Sequence, residues 1–271
     1  MIASVCVPYG NHVVTPPAPR TLFNDLARLG LVLLQRTRLP TEFEARRFEK
    51  DIETVSRIDP VGYLQLRGFA AALRDDHAEV DALFERAVSI SSQRLGAIMR
   101  YMAILAATGR SQGVIDLFRK YRDDICGDPA ALCGAESALR FSGWFATANA
   151  VGRELTKRGL RATPTFDTEF SEESLSEEEV ARAVGFSHRF LRNRGSVAKC
   201  VQATHICHES GGSTLLYQLA VDAQPEALAE LEWDLFGALA EAAVPVQEQG
   251  LLCIALAVWD DMEVLHARDA S

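Results

Sequence analysis

Cysteine and histidine are the usual ligands of zinc, and the segment CVQATHICHES brings Cys200, His205, Cys207 and His208 within a short stretch. Strand alternation limits what this cluster can do. His205 and Cys207 fall on one face, Cys200 and His208 on the other. No second pair with Cys-x-x-Cys or His-x-x-x-His spacing occurs elsewhere in the chain. Cys253 could complete a site only if the last strand neighbours the hairpin. His205 and Cys207 are therefore the best metal candidates, yet neither a metal nor another cofactor is expected. Buried thiols and edge histidines account for these residues more simply.

Other chemistry finds less support. The stretch GGST lacks the Gly-x-Ser-x-Gly elbow and does not join a strand to a helix. A Cys–His pair in the same region has no assignable third group to activate it. Phosphate-loop, dinucleotide and His-Glu-x-x-His patterns do not occur. Asp260 and Asp261 follow the last apolar run and could serve as acid and base, although strand-end aspartates are more often solvated turn residues. No catalytic residue is expected.

The totals narrow the function classes. With 271 residues the chain suits one large or two modest domains, and an apolar fraction of 48% is that of a globular protein. A formal net charge of −9 tells against general nucleic-acid binding and against docking on an anionic membrane. The six cysteines, at 6, 126, 133, 200, 207 and 253, are scattered, which favours reduced thiols in a cytosolic setting. The runs LGLVLL and LLCIALAVW fall short of the roughly 18 residues that a membrane helix needs. The first residues, MIASVCVPYG, lack the positive start of a signal peptide. A cytoplasmic protein is expected.

The elements that must position any site begin after an arm at 1–19 that ends in TPPAP. Residues 20–36 and 42–58 each carry apolar residues on one helical face, and Asp59-Pro60 breaks the second. From there, a shift of 34 positions superposes like residues. Leu64, Ile98 and Leu132 coincide, as do Ala70, Ile104 and Ala138, and also Leu73, Ala107 and Phe141. The turns fall at Asp75, Gly109 and Gly143. The second helices present Val80/Phe84/Ala87, then Val114/Phe118/Tyr121, then Ala148/Gly152/Leu155.

Two helices and a tight turn per 34 residues resemble the tetratricopeptide repeat. The stretches LRGFAAALRDDHAEVDALFERAV, AILAATGRSQGVIDLFRKY and ESALRFSGWFATANAVGREL carry the resemblance. The family's tryptophan and closing proline are missing from their usual places. The resemblance implies stacked pairs over 20–160, with the helices at 20–58 as a divergent first pair or cap. It also implies a concave groove lined by the first helix of each pair. Carried over residue by residue, the groove positions are Gln65 and Phe69, then Met99 and Ala103, then Cys133, Ser137 and Arg140, with Arg100 at the rim. Their small or soft side chains suit an apolar or helical partner. The competing reading is an ordinary bundle of amphipathic helices.

Residues 161–175 read as an acidic linker. Ser176 and Glu179 form a capping box for a helix over 177–194, whose glutamates at 177–179 suit its N-terminal dipole and which Gly195 closes. Alternating runs around Gly211-Gly212 predict a β-hairpin. A helix starts at Pro225, and GLLCIALAVWD suits a strand covered on both faces. The expected whole is mainly α: a right-handed, tetratricopeptide-like (TPR-like) helical repeat array, then a small α/β domain of order α-β-β-α-β at 176–271. The expected function is a non-enzymatic adaptor, scaffold or chaperone-like protein that binds another polypeptide in the groove. The C-terminal domain would give a second contact or a homodimer interface. The alternative is an enzyme or small-molecule sensor in that domain, with the repeats recruiting substrate or partner. A nucleic-acid regulator, suggested only by the basic stretch SHRFLRNRG, runs against the acidic balance.

Overall fold

The computed structural model describes residues 22–34, 39–57, 59–160, 176–198, 200–207, 213–242 and 252–258, with the backbone alone for 200–205, 207 and 213. The expected arm at 1–19, the linker at 161–175, His208, Gly211-Gly212 and Asp260-Asp261 lie outside these residues. The described part is mainly helical and carries one small sheet.

Several helix starts follow from short polar side chains that cap bare N–H groups. Thr41 and Glu44 make a reciprocal capping box for α2 (Glu42–Glu53), which packs near α1 (Leu22–Leu34). Asp59 accepts from the N–H of Gly62 at 2.8 Å and starts α3 (Pro60–Leu73), with proline at its first turn. Asp76 does the same for α4 (His77–Ile90), and Asp128 for α8 (Pro129–Phe141). Between them run α5 (Arg94–Ala107), α6 (Ser111–Lys120) and the short α7 (Arg122–Gly127), and α9 (Phe145–Lys157) follows.

The turns joining α3 to α4, α5 to α6 and α8 to α9 share one geometry. Asp75, Gly109 and Gly143, spaced 34 residues apart, have φ of 56°, 69° and 84°. Each turn closes by the same backbone bond: Asp76 N–H to Ala71 O at 3.0 Å, Arg110 to Leu105 at 2.8 Å, and Trp144 to Leu139 at 2.9 Å. This is the Schellman pattern, which needs a left-handed residue and so favours glycine.

The chain then forms α10 (Glu177–Asn193), β1 (Cys200–Cys207), β2 (Ser213–Val221), α11 (Pro225–Glu241) and β3 (Leu252–Val258). β1 and β2 pair antiparallel, as the hairpin reading expects, and β2 pairs parallel with β3, so the order is β1-β2-β3. β3 differs from expectation, since one of its faces is buried and the other only half-buried. Leu252, Ile254 and Leu256 are buried, while Cys253, Ala255 and Ala257 between them are half-buried. Alanine and cysteine read as apolar by type, but their small side chains lose little by partial exposure. The edge is met by Glu232 of α11, whose carboxylate accepts the Leu256 N–H at 2.9 Å.

Two apolar clusters form. One runs through the first nine helices and includes Phe48, Phe69, Phe84, Met102 and Trp144. The other joins α10, α11 and the sheet around Tyr217, Leu235 and Ile254. They interlock: Ala181 of α10 belongs to the first and Phe145 of α9 to the second. The helix expected to open the C-terminal part is thus packed on both sides.

α1 and α2, expected as a divergent first pair or a cap, lie against the first hairpin, where α1 packs mainly on α3 and also meets α2 and α5. Gly30 makes this approach possible, because a Cβ there would stand 2.9 Å from Phe48 and 3.0 Å from Phe69.

Candidate functional site

α5 and α8 bury Ile98, Met102 and Leu105, and Leu132, Ala135 and Leu139, which leaves a second stripe of each helix turned outward. Met99 and Ala103 occupy that stripe on α5, and Ser137 on α8; all three are half-buried, while Cys133 is exposed. The two helices meet closely here. A Cβ on Gly134 would lie 3.0 Å from Met99 Cε, so the methionine rests against the backbone of α8. Four of the expected groove residues are therefore neighbours on one accessible surface with no charged member.

The other four are not free for a partner. Phe69 is a core residue, 1% exposed, packed edge-on against Phe84 with ring centroids 6.2 Å apart and lying under Gly30. Gln65 is buried and accepts a hydrogen bond from Arg100 Nη1 at 3.0 Å. The Arg100 guanidinium also lies over the Phe23 ring of α1 at 4.8 Å, and burial lowers its pKa, against a raising influence from Asp59. α1 thus covers the end of the face where Gln65, Phe69 and Arg100 were expected to line a groove. Arg140 is corrected for a different reason. It is buried between α8 and α9, where Nε and Nη2 donate to Glu136 Oε1 at 2.9 and 2.6 Å and Nη2 to Asn149 at 3.1 Å. A buried guanidinium needs such partners more than it needs solvent.

The strand register places the metal candidates only by backbone position. In the strand register His205 stands opposite Leu215 and Cys207 opposite Ser213, while Cys253 stands opposite Leu216. β3 does neighbour the hairpin, but Cys253 has the opposite parity and so belongs to the other face. Among the described residues no three His, Cys, Asp or Glu side chains gather to hold a metal. Cys126, Cys133 and Cys253 form no disulfide, and burial raises the pKa of Cys253. Among the described residues no helix is long and apolar enough to cross a membrane.

The largest feature that sequence reasoning missed is the course of α10, which lies across all three turns. Glu177 caps α9 through the Thr147 N–H at 2.7 Å. At Gly143 a Cβ would stand 2.9 Å from Ala181 Cα and 3.0 Å from Val184, and at Gly109 it would stand 2.7 Å from the Gly185 carbonyl. Arg189 Nη1 donates to Gly109 O at 2.6 Å. Arg192 Nη2 donates to Asp75 at 2.7 Å and to Ala72 O at 3.3 Å. From 181 to 192 the helix rises about 16 Å. That spans two steps between packed helices of about 8–10 Å each. The signal was Gly185, since a glycine inside an amphipathic helix marks close backbone approach.

No family model, curated protein or solved structure matches the chain.

Proposed function

We propose that the protein is a non-enzymatic adaptor or scaffold, cytoplasmic and of the tetratricopeptide-like kind, which binds a polypeptide on the shared surface of α5 and α8. The observation that carries this reading is the uncharged, accessible patch of Met99, Ala103, Cys133 and Ser137 on two neighbouring helices. Three helix hairpins with like turns at Asp75, Gly109 and Gly143 support a stacked array, in which the first helices of successive pairs form one side. Methionine and small residues favour an apolar helix or extended segment over a highly charged one. α1 already covers the neighbouring end of this side, so the partner's site is restricted to the α5–α8 end. The α10–α11 sheet region is an α/β domain in this reading and gives a second contact or a homodimer interface.

The test replaces Ala103 and Ser137 together by arginine in the full chain. Both are half-buried at the surface, so helical content by circular dichroism should persist. A partner isolated with the wild-type chain should bind the variant at least about tenfold more weakly, the loss of a single interface hot spot. Unchanged affinity of that partner with intact fold would refute the site.

A further inference from the structure

The described residues enclose a second concave site, independent of the α5–α8 face. It is a cleft of about 350 Å³ between α10 and the first two turns. Its walls are unlike in chemistry. Phe186 and Phe190 of α10 supply an aromatic side, and Arg189 and Arg192 from the same helix supply two cations. Asp75 neutralises Arg192, whose Nη2 it meets at 2.7 Å. Arg189 has no such counterpart. It donates to the Gly109 carbonyl at 2.6 Å, and no described carboxylate comes within ion-pair distance. Across from it, His77 buries an Nδ1 that has no hydrogen-bond partner.

The Arg189 guanidinium is exposed and lines the cleft beside Phe186 and Phe190 with no described carboxylate to pair it, so an anion can meet it there. We infer that this cleft binds a small organic monoanion, a carboxylate on a flat apolar body, with the carboxylate on Arg189 and the body against Phe186 and Phe190. Guanidinium and carboxylate match in geometry and charge, and the cleft lies at the lower end of the size range of small-molecule sites. The ligand would touch both α10 and the turn at Asp75, so binding should tighten the seat of α10.

Benzoate is the direct probe, with benzamide as its neutral counterpart and acetate as the anion without a body. Titration calorimetry on the full chain should show benzoate binding at least about tenfold more tightly than either control, the worth of one charge-assisted hydrogen bond. Arg189→Gln keeps a donor for Gly109 O but removes the charge, and should lose about that factor. Should that variant fail to fold, Asn193→Asp decides: Asn193 is exposed at the cleft mouth, and a carboxylate there should weaken benzoate and leave benzamide unchanged. Equal binding of benzoate and benzamide, no binding of benzoate at about 10 mM (beyond the roughly millimolar range of weak ligands), or indifference to both substitutions would overturn the assignment.

Discussion

His188 carries the most informative single titration in the molecule. It is 3% exposed, tilted against Phe141 at 4.6 Å between centroids, and 3.5 Å from the Tyr217 hydroxyl. Burial is the main cause that brings its pKa down to about 4; Arg192 and Arg189 push the same way, and the Phe141 backbone opposes. The folded state therefore holds a neutral ring where the unfolded chain would take up a proton below about 6.5. Stability from this group is complete above that pH and is lost as pH falls through the window to about 4, where it amounts to about 3 kcal/mol. Replacement by glutamine, which cannot titrate, should flatten the acid limb of a urea-unfolding profile by that amount. His77 titrates in the same direction and remains in both proteins. Parallel profiles for wild type and His188→Gln would show that His188 is not the source.

At the level of elements, α10 and the turns beneath it make a separable claim. Gly109 and Gly159 share a left-handed backbone, with φ of 69° and 71°. They differ in surroundings, since a Cβ at Gly109 would meet the Gly185 carbonyl at 2.7 Å whereas no described residue lies within 4 Å of one at Gly159. Gly159→Ala should therefore cost only the conformational penalty, about 1 kcal/mol. Gly109→Ala adds a backbone clash and should cost about 3 kcal/mol in chemical denaturation. Equal losses would mean that α10 does not press on the turn. The turns themselves were legible in the sequence, because a left-handed residue after a helix leaves glycine at 109 and 143. The break at Asp59-Pro60 and the start at Pro225 were legible, although the Thr41–Glu44 capping box and the aspartate caps at 59, 76 and 128 were overlooked and the second helix ends at Glu53 rather than Ile58. The seat of α10 was not. Arg189 and Arg192 already had a local explanation as cations at a helix C-terminus, and a contact between residues 75 and 192 leaves no periodic trace.

For the molecule as a whole, the helical hairpins and the α10–sheet region are joined by packing rather than only by chain connection. Ala181 and Phe145 each enter the other region's apolar cluster, and Leu39 N–H reaches Gly195 O at 3.4 Å. Of the groove positions that the resemblance implied, Met99, Ala103, Cys133 and Ser137 lie at the accessible surface. The burial of the others could not be read from the sequence, because it depends on what covers them: α1 over Gln65, Phe69 and Arg100, and Glu136 with Asn149 around Arg140. The most direct measurement is site-specific photocrosslinking in cells, with a photoreactive amino acid at Ala103, at Ser137, or at the exposed Arg86 of α4 as control. A polypeptide seated on α5 and α8 should give the same crosslinked species from 103 and 137 and none of it from 86. The same species from all three positions, or from 86 alone, would contradict that seat.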